Sequence, residues 1–158
     1  MQAKRTGTQN FALIIGIMYL LVGLMGFIPA FVRAPIVSPE AAGLGFTGGY
    51  GYLMGLFPIN ALHNIIHVLV GILGIAASIS LDSSRLFSGV LALFYGALTL
   101  MGLFPPTQST LGLVPIFGND VWLHAGTAAI AAYFGFIATP NLLELGGETS
   151  QSPTGSES

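Results

Sequence analysis

The chain has 158 residues, of which 53% are hydrophobic and only 6% charged. A soluble globular domain carries about 25% charged residues, so ten acidic and basic side chains cannot cover a water-facing surface, and the composition describes a one-domain integral membrane protein. A net charge of −2 argues against a nucleic-acid partner, and the lack of cysteine excludes disulfides, thiolate metal sites and thiol catalysis.

Residues 1–10 read as a polar, basic cytoplasmic tail. The first apolar stretch, from Phe11 to Pro29, follows Lys4 and Arg5 as a signal peptide would. It is longer than a signal core and lacks a small-x-small cleavage site, so it reads as a retained membrane helix over 11–29. Residues 30–57 hold Pro35, Pro39 and six glycines (Gly43, Gly45, Gly48, Gly49, Gly51, Gly55). That density of Gly and Pro predicts a long irregular connection. Within it, Tyr50 and Tyr52 suit an interfacial aromatic belt, and the segment from Tyr52 to Phe57 reads as lying on the membrane surface or as a short helix.

A second helix is predicted over about 59–79, with Pro58 at its entrance, followed by a polar turn over 81–85. A third helix is predicted over 86–104, stopped by Pro105 and Pro106, and then an outer loop over 107–118. The fourth is predicted over 119–138, with Asn119 as its N-cap and Trp122 as an interface anchor. Each stretch is close to the ~20 residues that span a bilayer, so residues 11–138 form the membrane domain. Residues 139–158, rich in Gly, Ser, Thr and Glu, read as a disordered cytoplasmic tail. Lys4, Arg5 and Arg85 fall on one side of such a topology and Arg33 on the other. The positive-inside rule then makes both termini cytoplasmic.

The two halves resemble each other. Met18-Tyr19 and Met25-Gly26-Phe27-Ile28-Pro29 match Phe94-Tyr95 and Met101-Gly102-Leu103-Phe104-Pro105 in one register. Gly55-Leu56-Phe57-Pro58-Ile59 recurs loosely as Gly112-Leu113-Val114-Pro115-Ile116, and Asn60 as Asn119. An even number of helices per copy makes the repeats parallel, related by an axis along the membrane normal. The fold expected is an all-α membrane protein: four transmembrane helices as two parallel two-helix repeats. Small or polar residues stripe each helix, and membrane helices pack over such stripes. They are Gly16, Tyr19, Gly23 and Gly26 on the first; Asn60, His63, His67, Gly71, Gly74 and Ser78 on the second. The third has Gly89, Ala92, Gly96 and Thr99, and the fourth Asp120, His124, Thr127, Ala131 and Gly135.

All three histidines, His63, His67 and His124, lie in predicted membrane helices. Ionisable groups there are costly and mark functional sites by default. His63 and His67 are one turn apart and share a helix face. Asp120 precedes His124 by the same spacing. His67 and His124 each follow their proline by nine residues, which at 1.5 Å per residue puts both at most ~13 Å below it, in the outer half of the membrane. They are expected to face each other at one depth. These four side chains suit a zinc, copper or iron ion, with Asn60 and Asn64 orienting the imidazoles. Ligation of haem by His67 and His124, or of a chlorophyll magnesium by one histidine, uses the same residues. The plainer alternative is structural: buried His and Asn hydrogen-bond across membrane helices, and Asp120 complements a helix dipole.

The run Gly-Leu-Phe-Pro-Ile-Asn-Ala-Leu-His-Asn-Ile-Ile-His (55–67), taken with Gly-Asn-Asp-Val-Trp-Leu-His (118–124), resembles the domain-of-unknown-function family 4383. These are small four-helix membrane proteins of bacteria, including actinobacteria and cyanobacteria. The resemblance covers about 11–138. It implies a bacterial source, hence the inner membrane or a thylakoid, and a four-helix fold, but no activity. No nucleophile is paired with a base and no phosphate-binding loop is present. The functional expectation is a non-enzymatic accessory or assembly subunit of a larger membrane complex or homo-oligomer. The alternative is a metal-, haem- or chlorophyll-binding protein using the histidines, and behind it a small transporter.

Overall fold

The structure, a computed structural model, describes residues 5–138. Residues 1–4 of the predicted N-terminal tail and all of the predicted tail over 139–158 lie outside the described residues. The fold is mostly helical, with helices α1 (Gly7–Met25), α2 (Ala61–Ala77), α3 (Leu81–Leu103) and α4 (Asn119–Ala132). Of these, α1 and α3 are long and apolar enough to cross a membrane.

Helix ends differ from expectation where side-chain caps decide them. α1 begins inside the supposed tail because Thr6 and Gln9 form a capping box: Gln9 N donates to Thr6 Oγ1 at 3.3 Å and Thr6 N to Gln9 Oε1 at 3.0 Å. It ends at Met25 rather than Pro29, since a proline holds the residue before it extended, and Ile28 has φ −99° and ψ 113°. The polar turn over 81–85 is the first turn of α3. Ser80 caps it by accepting from Ser83 N at 3.1 Å, and Asp82 sits at the positive end of the dipole. At α4 the cap is Gly118 (φ 65°), not Asn119, whose amide instead donates to Leu56 O at 3.3 Å. α4 continues as a π turn over Tyr133–Ile137.

The connection over 30–57 is not irregular throughout. A 3-10 turn (Pro29–Phe31) leads into a three-stranded antiparallel sheet, β1 (Val32–Arg33), β2 (Gly51–Leu53) and β3 (Phe57–Ile59), paired in that order. Val32 opposes Leu53, and Tyr52 lies between Arg33 and Pro58. So Tyr52–Phe57 is a hairpin, not a short helix. Its turn is Met54-Gly55, both at positive φ (52° and 76°), closed by Leu56 N donating to Leu53 O at 3.0 Å. Left-handed values at both central residues match the twist of antiparallel strands. The same turn recurs at Leu111-Gly112 (φ 59° and 81°), closed by Leu113 N to Thr110 O at 3.2 Å. The two loops are stitched together: Gly45 N and Phe46 N both donate to Gly112 O at 2.9 Å.

α1 runs antiparallel to α2, and α3 to α4. The first pair meets over glycines, since a Cβ on Gly16 would stand 2.6 Å from Ile75 N, and one on Gly23 2.8 Å from Asn64 O. The second pair closes on Gly135, where a Cβ would meet Gly89 N at 2.6 Å. Gly26 abuts the Asn64 side chain, and Gly102 abuts Val121 and the Ile116 carbonyl. Gln9 Nε2 ties the start of α1 to the end of α2 by donating to Ser78 O and Ile79 O. Of the expected stripes, that of α3 holds at Gly89 and Ala92, which are buried with Ser84, Ser88, Leu91 and Tyr95, but not at Gly96, which has nothing within 4 Å of a Cβ.

A core of Ile15, Tyr19, Leu91, Ala92, Tyr95 and Ala131 holds the helices together. Around it the usual polarity is inverted. Ile14, Leu21, Leu69, Leu73, Leu93 and Leu100 point outward, whereas Asn60, His63, Asn64, His67, Ser84, Ser88, Asp120, His124 and Thr127 are buried.

Candidate metal centre

The first turn of α2 positions the first histidine. Asn60 is the N-cap, accepting from His63 N at 2.9 Å, while its amide donates to Leu113 O at 2.7 Å and Phe46 O at 3.3 Å. One side chain thus ties the histidine helix to both long loops. Its amide hydrogens are taken by those carbonyls, which leaves only the second lone pair of its oxygen for an imidazole. Asn64 packs its amide against Gly26, and its Oδ1 has no hydrogen-bond partner.

His63 and His67 stack along α2 with ring centroids 4.4 Å apart, and His124 approaches from α4 at 6.2 Å from His63. One nitrogen from each of the three lies within 4.8 Å of the others. His67 and His124 do come together, as their matched distance from proline requires. Asp120 stands behind them on α4, its Oδ2 3.6 Å from His124 Nδ1 and 3.9 Å from His63 Nε2, beyond hydrogen-bond reach. All four side chains are at most 3% exposed.

Buried polar atoms are nearly always hydrogen-bonded. Here His63 Nδ1, both nitrogens of His67, His124 Nδ1 and Asp120 Oδ2 have no hydrogen-bond partner among the described residues. These five atoms therefore make none of the interhelical hydrogen bonds that a purely structural role would give them. A tetrahedral ion with metal–nitrogen bonds of about 2.0–2.1 Å holds its ligand nitrogens roughly 3.3 Å apart. The three nitrogens lie within 4.8 Å of one another, so holding such an ion requires the rings to draw closer.

Two tyrosines form the rest of the wall. Tyr19 of α1 packs against His67 with centroids 5.1 Å apart, and Tyr95 of α3 meets His124 edge-on at 4.8 Å. The tyrosines touch each other at 5.2 Å, and Tyr19 OH shares a 2.9 Å hydrogen bond with Thr127 Oγ1. Neither was singled out from the sequence as part of the site. The available signal was their equal place in the matched segments Met18-Tyr19 and Phe94-Tyr95. Beside the histidines lies a cavity of about 280 Å³, whose walls include His63, His67, His124, Tyr95 and Thr110.

The proposed interface anchors separate. Trp122 projects outward, 72% exposed. Tyr52 is buried in the sheet, where β-pairing on both sides holds it, so it is not an outward-facing anchor. Tyr50 is half-buried and donates from its hydroxyl to Val37 O at 3.0 Å. Burial, with Tyr52 beside it, pushes its pKa up to about 12, so the phenol stays a donor at ordinary pH.

Residues 9–137 match the family model described as Domain of unknown function (DUF4383), so the chain belongs to that family. No curated protein and no solved structure matches it.

Proposed function

We propose that this family member is a four-helix integral membrane protein of bacteria that holds one transition-metal ion on His63, His67 and His124, with the Asp120 carboxylate beside them balancing its charge. The observation that carries the reading is that one nitrogen from each of three buried histidines lies within 4.8 Å of the others, in a cluster where several buried polar atoms have no hydrogen-bond partner. Left empty, those atoms cost roughly 1–3 kcal/mol each. An ion would satisfy them together. Imidazole suits zinc, copper, iron and nickel. A compact ion fits better than haem or chlorophyll. The rings are packed against one another and against Tyr19 and Tyr95, and the adjoining 280 Å³ is below the usual ~300–1,000 Å³ of small-molecule sites.

The inverted polarity supports all four helices lying in lipid, because only there do apolar exteriors and polar interiors agree with the solvent. Parallel duplication draws support from correspondences that no single helix would impose. Tyr19 packs on His67 as Tyr95 does on His124. Gly26 lies against Asn64 as Gly102 does against Val121, and the positive-φ turn recurs. The loops also exchange side-chain bonds: Asn60 reaches Leu113 O, and Asn119 reaches Leu56 O. Both termini are cytoplasmic, in the inner membrane or a cyanobacterial thylakoid. The role is binding rather than catalysis, as an accessory subunit of a larger membrane assembly.

The test is metal stoichiometry of the full chain, purified in detergent without chelator. We expect about one ion per chain, lost on replacing His63, His67 and His124 together with Ala. Equal metal in wild type and triple variant would refute the site.

A further inference from the structure

The histidine cluster has two unlike sides. On one stands the Asp120 carboxylate. On the other lies the apolar cavity, which all three histidines line and Asp120 does not. A closed structural metal site surrounds its ion with protein ligands, while a site that must accept a further ligand keeps one position open. We propose that an ion held by His63, His67 and His124 keeps an open coordination position toward this cavity, and that a small neutral molecule from the bilayer occupies it. The inference rests on the metal reading above.

Three observations set the class of ligand. The first is size: since about 150 Å³ holds benzene, about 280 Å³ admits a molecule of up to roughly ten heavy atoms. The second is polarity. Away from the cluster the walls are mainly apolar, with Ile66 from α2, Phe94 and Leu98 from α3, and Val114 from the outer loop. An ion entering there would lose its hydration with nothing in exchange, so such a wall admits neutral molecules. One polar handle remains: the Thr110 hydroxyl, also on the cavity wall, is buried without a hydrogen-bond partner. A ligand with one polar atom on the metal and another facing Thr110 would satisfy both.

The third observation is access. Phe94 lines the cavity and is also 44% exposed on the lipid-facing surface of α3. α2 and α3 touch only sparingly, because each packs chiefly on its own partner, α1 or α4. The cavity therefore opens sideways between α2 and α3, toward the acyl chains. Such a route selects lipid-soluble molecules before they meet the metal.

Carbon monoxide is a suitable probe, being neutral, lipid-soluble and small, with a stretching band that reports its binding to copper(I). The full chain in lipid nanodiscs, loaded with copper(I) and quantified for copper, would be exposed to carbon monoxide and examined by infrared spectroscopy. The expected result is a copper-bound carbonyl band in the wild type that is lost in Leu98→Trp, which fills the cavity while the histidines and the bound copper remain. Leu98→Phe gives a milder filling if the tryptophan variant does not fold, with a weakened band expected. Full copper without a carbonyl band would overturn the open position while leaving the metal site standing. A band undiminished in both filled variants would overturn the cavity as its route. Failure of the wild type to retain copper, zinc or any other ion would overturn the metal reading and this inference with it.

Discussion

The closest helix crossing makes a quantitative prediction from one methyl group. At Gly16 an added Cβ would stand 2.6 Å from Ile75 N and 2.9 Å from both Gly71 O and Gly74 C. All three are backbone atoms of α2, so no side-chain rotation can relieve the clash. Ordinary non-bonded contacts are about 3.5–4.0 Å, so α1 and α2 must part by roughly 1 Å at the crossing, and contacts opened by such a gap lose a quarter to a half of their attraction. The overpacking cost for Gly16→Ala is about 1–3 kcal/mol. Gly96→Ala is the control. It makes the same change inside a helix, but nothing lies within 4 Å of its Cβ. There the gain in helix propensity, up to about 1 kcal/mol, acts alone. Because both variants share that gain, reversible unfolding in detergent micelles should separate them by the overpacking cost, about 1–3 kcal/mol, with Gly16→Ala the weaker. Parting α1 from α2 also draws Tyr19 off His67, so metal retention should fall in Gly16→Ala alone. Equal stability of the two variants would refute the close crossing.

Other predictions concern the site, the turns and the topology. His67→Leu should stabilise the metal-free protein by about 1–3 kcal/mol, because both ring nitrogens lack partners; it should abolish the metal-induced gain, about 2.7 kcal/mol for wild type at a hundredfold excess over Kd, and a destabilised metal-free variant would show that His67 has protein partners after all. Leu111 is 92% exposed at φ 59°, so Leu111→Asn should raise the unfolding midpoint, relieving up to about 1 kcal/mol of left-handed strain; a lowered midpoint would mean that the leucine is buried against something in the membrane. A reporter fused after Ser158 should be active only in the cytoplasm, and activity on the opposite side would reverse the orientation drawn from Lys4, Arg5 and Arg85.

Much of the candidate site was legible because one helical turn returns a side chain to the same face. His63 with His67, and Asp120 with His124, could be paired from spacing alone. The proline spacing then set a common depth, and His67 and His124 do converge. The second set of partners was less legible. Asn60 and Asn64 are near the histidines in sequence, but capping and loop bonds claim Asn60, and Asn64 turns toward Gly26. Tyr19 and Tyr95 are remote in sequence and complete the wall.

By itself the sequence determined the apolar helical stretches and the histidine face. These follow from composition and from a period of 3.6 residues, both properties of the chain taken locally. Only the tertiary structure decided the helix caps, the three-stranded sheet and the cavity beside the cluster. The capping box at Thr6 and Gln9 overrode the apolar boundary, since orphaned helix N–H groups take whatever acceptor stands three residues away. The glycine-rich connection forms a sheet because Val32-Arg33 at its start pairs with Gly51–Leu53 near its end, a register between residues far apart in the chain. The cavity exists because α2 prefers the glycine face of α1 and α4 that of α3, which leaves α2 and α3 apart, a result of competing contacts that no single stretch of residues contains.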